Sequence, residues 1–175
     1  MTSTVYDLLD QLPPYKDQWI LINDNQAVPD IINEVCDAHQ EFATYYDNLS
    51  SFFYDDDTET TCQNIYRFLK ENIKYREESE KDQTSALPTG ILIRRRGDCK
   101  HYSGFTAGIL DSINRSGHKI KWAYRFASYR WWDRTPHHVF VVVNPGTDKE
   151  IWIDPTPGAD VMSPVWQIDK TVKVL

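Results

Sequence analysis

The order of hydrophobic periods along the chain predicts an α+β domain with an antiparallel sheet. Three observations carry this. Apolar residues recur at three- and four-residue steps up to about Ile113, the spacing of one helix face. From Ile120 the pattern changes to alternation and short β-branched runs. The later runs are joined by short turn sequences such as Pro145-Gly146-Thr147-Asp148, which suit strands that reverse direction.

At 175 residues the chain has room for one well-cored domain. Residues 61–160 read as its core and residues 1–60 as an acidic, mostly helical extension. With 41% hydrophobic and 26% charged residues it belongs among folded globular chains. No apolar run is long enough to span a membrane, so no membrane partner is expected. Met1–Asp7 lacks the basic region and apolar stretch of a signal peptide. Cys36, Cys62 and Cys99 have no CxxC spacing, which predicts neither a disulfide framework nor a zinc finger. A reducing, cytoplasmic setting is the simplest expectation. Residues 1–60 hold 13 Asp/Glu against one Lys, whereas residues 61–175 hold 13 against 18 Lys/Arg. The acidic segment is expected to pack on the basic remainder or to be solvated. The pI of about 5.2 weighs against nucleic acid as a partner.

In chain order, Leu8, Leu9 and Leu12 predict a short helix stopped by Pro13. Trp19–Ile22 predicts a strand closed by an Asn23-Asp24-Asn25 turn. Asp30 is the expected cap of a long helix into the forties. Its buried face would be Ile31, Val35, Ala38, Phe42, Tyr45 and Leu49, with Cys36 and His39 as packing residues. Asp55-Asp56-Asp57 reads as a solvated acidic loop. Thr58 or Thr60 would cap a second helix that buries Cys62, Ile65, Phe68, Leu69 and Ile73. Arg76–Gln83 reads as a loop, and Pro88 and Gly90 as punctuation before residue 99.

A third helix is expected from Cys99, with Tyr102, Phe105, Thr106, Ile109, Leu110 and Ile113 inward and Gly117 closing it. Gly104, Ala107 and Gly108 within it predict a backbone pressing close. Ile120–Tyr129 alternates, with Trp122, Tyr124 and Phe126 on one face and Lys121 and Arg125 on the other. Val139–Val143 and Ile151–Ile153 are the next strands, and Val165–Leu175 is the candidate edge strand.

The chemistry centres on Arg96-Gly97-Asp98-Cys99-Lys100. A helix's first turn has unpaired N–H groups and a partial positive charge, both of which favour an anionic sulfur. Gly97 permits a close approach, and Asp98 is the expected cap. A cysteine nucleophile needs a base, and the base needs an orienting group. If the two strands flanking the Pro145 turn pair, His138 and Asp154 become neighbours at one end of the sheet.

Gly97-Asp98-Cys99, His138-Val139-Phe140 and Trp152-Ile153-Asp154-Pro155-Thr156 together resemble the transglutaminase-like superfamily, a branch of the papain-like cysteine enzymes. Glu71-Asn72-Ile73-Lys74-Tyr75 is similar to the helix end that precedes the Cys loop there. Phe140 stands where the family often has Trp. The resemblance implies a papain-like/transglutaminase-like fold, with N-terminal helices and a central Cys-bearing helix on an antiparallel sheet. It also implies a triad with Cys99 as nucleophile, His138 as base and Asp154 as orienting group. The implied activity is thiol-dependent acyl transfer or hydrolysis at an amide of a protein or peptide, of cysteine peptidase or amidase type. Protein-glutamine cross-linking is the alternative within the family. No cofactor is implied and no calcium requirement is expected.

Tyr75 is a candidate second oxyanion donor beside the Cys99 N–H. Trp131 and Trp132, in the loop entering His138, are candidate walls of a substrate groove. Arg94-Arg95-Arg96 is read first as a solvated run. Two other chemistries use the same residues. Cys99, His101, His137, His138 and Asp154 include zinc-ligand types, but adjacent strand histidines point to opposite faces, so no metal is expected. The aromatic and basic residues of Lys119–Arg134 would suit a non-catalytic binding module that retains the scaffold.

Overall fold

The computed structural model describes residues 4–13, 19–23, 28–79 and 83–170. The first helix, α1 (Val5–Leu9), starts where Thr4 caps it. Thr4 Oγ1 accepts from the Asp7 N–H, and the Asp7 carboxylate accepts from the Thr4 N–H at 2.7 Å. The apolar run after Pro13 forms β1 (Trp19–Asn23); the remainder of the expected turn, Asp24 and Asn25, lies outside the described residues.

The long helix expected through the forties is two helices. Helix α2 (Val28–Glu41) begins before Asp30, so Asp30 lies in its first turn rather than at its cap. Phe42 leaves helical geometry at φ −115° and ψ 24°, and α3 (Ala43–Asp47) follows, then a 3₁₀ turn at Ser50–Phe52. This offset turns the later face. Tyr46, not Tyr45, is buried with Val35, Cys36 and Leu49, and Phe42 is only half-buried. The side chains of Ile31 and Ala38 lie outside the described set.

Helix α4 (Thr58–Asn72) buries Cys62, Ile65, Phe68 and Leu69 as its period predicts. Its cap is Asp57 rather than either threonine: the carboxylate accepts from the Thr60 N–H at 2.8 Å. The chain then makes β2 (Lys74–Tyr75), β3 (Gln83–Ala86), α5 (Pro88–Arg94) and β4 (Arg96–Gly97). Strand β3 pairs antiparallel with β1, and its Gln-Thr-Ser-Ala composition gives no apolar alternation to read. Pro88 and Gly90 lie inside α5. Proline is compatible with a first helical turn because its missing N–H would have no partner there. Arg95 ends α5 at φ 49°, with its guanidinium 5.0 Å above the Tyr6 ring.

Helix α6 (Cys99–Arg115) lies between the N-terminal helices and the sheet and contacts both. It ends at Ser116, with Gly117 at φ 104°. The close neighbour at Gly108 is an aromatic ring, not a backbone: a Cβ there would meet Tyr46 ring atoms at 2.5 Å. Gly104 has no such neighbour within 4 Å.

The main sheet has four antiparallel strands in the order β7-β6-β5-β8. They are β5 (Trp122–Ser128), β6 (His138–Val143), β7 (Ile151–Ile153) and β8 (Trp166–Lys170). Of the expected edge strand, residues 171–175 lie outside the described set. Trp122, Tyr124 and Phe126 join Val139, Val141 and Val143 in the main core. The opposite face of β5 and β6 is also closed. Ala123, Ala127, Phe140 and Val142 form a second cluster, and Arg125 is only 2% exposed. Its guanidinium donates to Asp169 Oδ1 at 2.6 Å and Glu150 Oε2 at 2.8 Å. Arg125 therefore stands on the polar side of the alternation, yet inside the protein.

Behind α6 a buried polar network joins three elements. Asp111 Oδ2 accepts from His39 Nε2 at 2.8 Å and Oδ1 accepts from Trp122 Nε1 at 2.8 Å. His39 Nδ1 in turn accepts from the Tyr124 hydroxyl at 2.7 Å. His39 is thus a packing residue, as its place in the helix predicts, and also the polar tie between α2, α6 and β5.

Candidate active site

Asp98 caps α6 through its own side chain. Oδ1 accepts from the Lys100 N–H at 3.2 Å, and His101 Nδ1 reaches back to the Asp98 N–H at 3.2 Å. Gly97 sits hard against this box: a Cβ there would lie 2.8 Å from that of His101. Burial opposes ionisation of Asp98, but the His101 and Lys100 contacts outweigh it and hold the carboxyl at about 2. Cys99 is the first residue of α6 and is partly exposed, whereas Cys36 and Cys62 are buried.

The same strand-start and strand-end positions bring His138 and Asp154 together. The register pairs Val141 with Ile153. Extending it puts Asp154 opposite Phe140, a diagonal neighbour of His138 on the same face. Because a carboxylate only accepts, His138 Nε2 donates to Asp154 Oδ2, at 2.6 Å. Asp154 is anchored in turn by the Thr156 N–H, which donates to Oδ1 at 3.2 Å. Lys70 Nζ of α4 donates to the Pro155 carbonyl at 3.3 Å and fixes the same turn.

With Nε2 committed to Asp154, Nδ1 is the nitrogen left for the sulfur. Burial opposes the charged form of His138. The Asp154 bond and then the Cys99 side chain, by hydrogen bonding and charge, outweigh burial and raise the ring to about 10. Ser103, one turn after Cys99, locks α6 to the strand that carries His138. Its hydroxyl lies 2.7 Å from the Cys99 carbonyl and 3.1 Å from the Val139 carbonyl.

This arrangement has a consequence for stability. An unfolded histidine titrates near 6.5, and the folded His138 holds its proton up to about 10. The folded state therefore binds more protons between those values. The contribution is complete below about pH 6.5 and is lost as pH rises through about 10. Within that window stability is expected to fall by up to about 1.4 kcal/mol per pH unit from this group. His138→Gln removes that slope. Thermal melts between pH 6.5 and pH 10 check it, and an identical slope in the variant would refute it.

Parallel pairing of β2 with β4 sets Tyr75 beside Gly97, two residues before Cys99. Burial, followed by the Cys99 sulfur, raises its phenol well above the usual value. Its hydroxyl lies 3.4 Å from Glu77 Oε1. Trp131 and Trp132 are 80% and 70% exposed in the loop before β6, in an edge-to-face pair 5.6 Å apart. His101 faces Asp98, Glu78 and Thr84 rather than Cys99, and Lys100 Nζ already lies between the two carboxylates of that cluster. His137 is turned away from His138, its Nε2 accepting from the Tyr129 N–H at 3.4 Å. Trp122, Tyr124 and Phe126, the aromatics of the basic-aromatic segment, are buried in the core.

The sequence matches the family described as a transglutaminase-like domain over residues 44–144, more than half of the chain. The chain belongs to that family. Transglutaminase-like proteins are a cysteine-dependent catalytic family. The match on this transglutaminase-like chain begins at α3 and ends just after β6, so it contains Cys99 and His138. A crystal structure of a candidate cysteine protease from Cytophaga hutchinsonii is similar to it at 15% identity and a TM-score of 0.45. The alignment covers 86% of this chain and 53% of that one, so this chain spans about half that protein's length. No curated protein matches this sequence.

Two residues at the site have no counterpart in the sequence reading. Ser103 was accessible: Cys-x-x-x-Ser is a one-turn helical spacing that stacks its side chain over the Cys99 carbonyl. Tyr129, beside His138, gave no signal, because it sits among several aromatics of the β5 segment.

Proposed function

We propose that this transglutaminase-like domain is a thiol-dependent hydrolase of amide bonds in proteins or peptides, with Cys99 as nucleophile, His138 as base and acid, and Asp154 as orienting group. The observation that carries the reading is the buried 2.6 Å His138 Nε2–Asp154 Oδ2 contact with Cys99 acting on the same ring. Asp154 fixes the tautomer and supports the imidazolium. Because His138 holds its proton up to about 10, the thiol proton already rests on Nδ1 in neutral solution, and Cys99 sulfur attacks the acyl carbon as the thiolate. The oxyanion forms near the unpaired N–H groups at the start of α6. Tyr75, paired with Gly97 on the adjoining bridge, is the second candidate donor to the same oxygen once its hydroxyl leaves Glu77. His138 then protonates the departing amine, and water resolves the thioester. Trp131 and Trp132 offer exposed apolar surface at the edge of the site for the substrate chain. An amine in place of water would give cross-linking from the same intermediate.

The test is differential labelling with iodoacetamide under native conditions. Burial pushes Cys36 up to about 11 and Cys62 up to about 12, so both are expected to react slowly. Cys99 is expected to react at least tenfold faster, and His138→Ala to slow it. Equal slow labelling at all three cysteines would sink the reading.

A further inference from the structure

Tyr129 directly follows β5, whose Ala127 pairs with His138. Its ring lies 5.7 Å from the His138 ring at 44° and 5.8 Å from that of His137. The residue is half-buried, but its hydroxyl is sealed from solvent and hydrogen-bonds to no described group of the protein. A buried hydroxyl without a partner is destabilising, and such a group beside a candidate reaction centre calls for a ligand that completes it. Burial first, then the charges of Asp154 and Cys99, push the phenol up to about 12. It therefore stays protonated in neutral solution, able both to donate and to accept. Its ring lies against that of His138, the group to which a second nucleophile must pass its proton.

We propose that Tyr129 is a catalytic residue whose hydroxyl hydrogen-bonds the water that resolves the Cys99 thioester. This rests on Cys99 being the nucleophile. The water is held with one O–H directed at His138 Nδ1. Its oxygen bonds to the acyl carbon while that proton passes to the imidazole. The C–S bond then breaks with its electron pair returning to Cys99 sulfur, and the carboxylic acid leaves. A site that holds water in this way favours hydrolysis over transfer to an amine.

Stopped-flow turnover of p-nitrophenyl acetate by wild type and Tyr129→Phe separates the steps. Release of p-nitrophenolate in the burst reports acylation, and the steady state reports deacylation. Tyr129→Phe is expected to leave the burst within about twofold and to slow the steady state about tenfold, the worth of one hydrogen bond. Added hydroxylamine, which supplies its own strong nucleophile, is expected to restore turnover in the variant. Iodoacetamide labelling of Cys99 at the wild-type rate would show the Cys99–His138 pair intact. A burst with no change in the steady state overturns the proposal, as does an equal loss in both phases or a loss of labelling. Wild type without a burst overturns the Cys99 reading and this one with it.

Discussion

His138→Ala is expected to lower kcat/KM for p-nitrophenyl acetate by about 10²–10⁴, the range of a positioned general acid–base group. The physical basis is narrow. Cys99 is placed by the cap of α6, and the imidazole by a 2.6 Å bond to Asp154 at the end of β7. Removing the ring leaves Cys99 in its partly exposed position at the helix start, without the group that takes its proton. Asp154→Asn keeps the shape but replaces a charged acceptor by a neutral amide, so the imidazolium loses its counter-charge. A smaller loss of the same kind is expected, greatest toward high pH, where the ring without its counter-charge gives up the proton that wild-type His138 holds up to about 10. Initial rates from pH 5 to pH 9 for wild type and both variants measure this. A His138→Ala rate within threefold of wild type would remove His138 from the mechanism.

Asp111→Ala is expected to produce a large stability loss without touching the candidate site. Asp111 is 2% exposed and accepts from both His39 and Trp122. Truncation leaves two buried donors unpaired and loosens the His39 ring to which Tyr124, fully buried, donates. Breaking a buried charge-assisted network of this kind costs about 3–5 kcal/mol. For a chain of this size that corresponds to a Tm lower by roughly 10 °C. Thermal unfolding followed by circular dichroism decides it; a shift under about 3 °C would show that the network contributes little. The network also explains why the acidic N-terminal third belongs to the fold. It supplies His39, and with Tyr46 against Gly108 it packs against α6.

What could be read in advance depended on whether a residue's role is local. The start of α6 at Cys99, its capping by Asp98 and its close at Gly117 follow from short-range backbone chemistry. The β5–β6–β7 order follows from alternation and turn residues, and with it the approach of His138 to Asp154. Where local signals were silent, the reading failed. Strand β3 is polar because it belongs to a two-stranded ribbon with no buried face of its own kind. Helix α5 was hidden by Pro88 and Gly90, which punctuate loops in isolation but are accommodated in a short buried helix. Phe42 carries no breaker signal, yet the chain turns there, and one residue of offset exchanged Tyr45 for Tyr46 in the core.

The sequence by itself determined the α+β class and the helix that starts at Cys99, and it singled out the three residues proposed as a triad, because caps, periods and turn residues act over a few positions. Only the tertiary structure decided which side of the His138 ring meets Asp154 and that Ser103 ties α6 to β6. It alone set the Tyr129 ring beside that of His138 and left its hydroxyl without a hydrogen-bond partner among the described residues. Those are properties of groups far apart in the chain. Their distances are fixed by how α6 packs on the sheet, and no local pattern of residues encodes them.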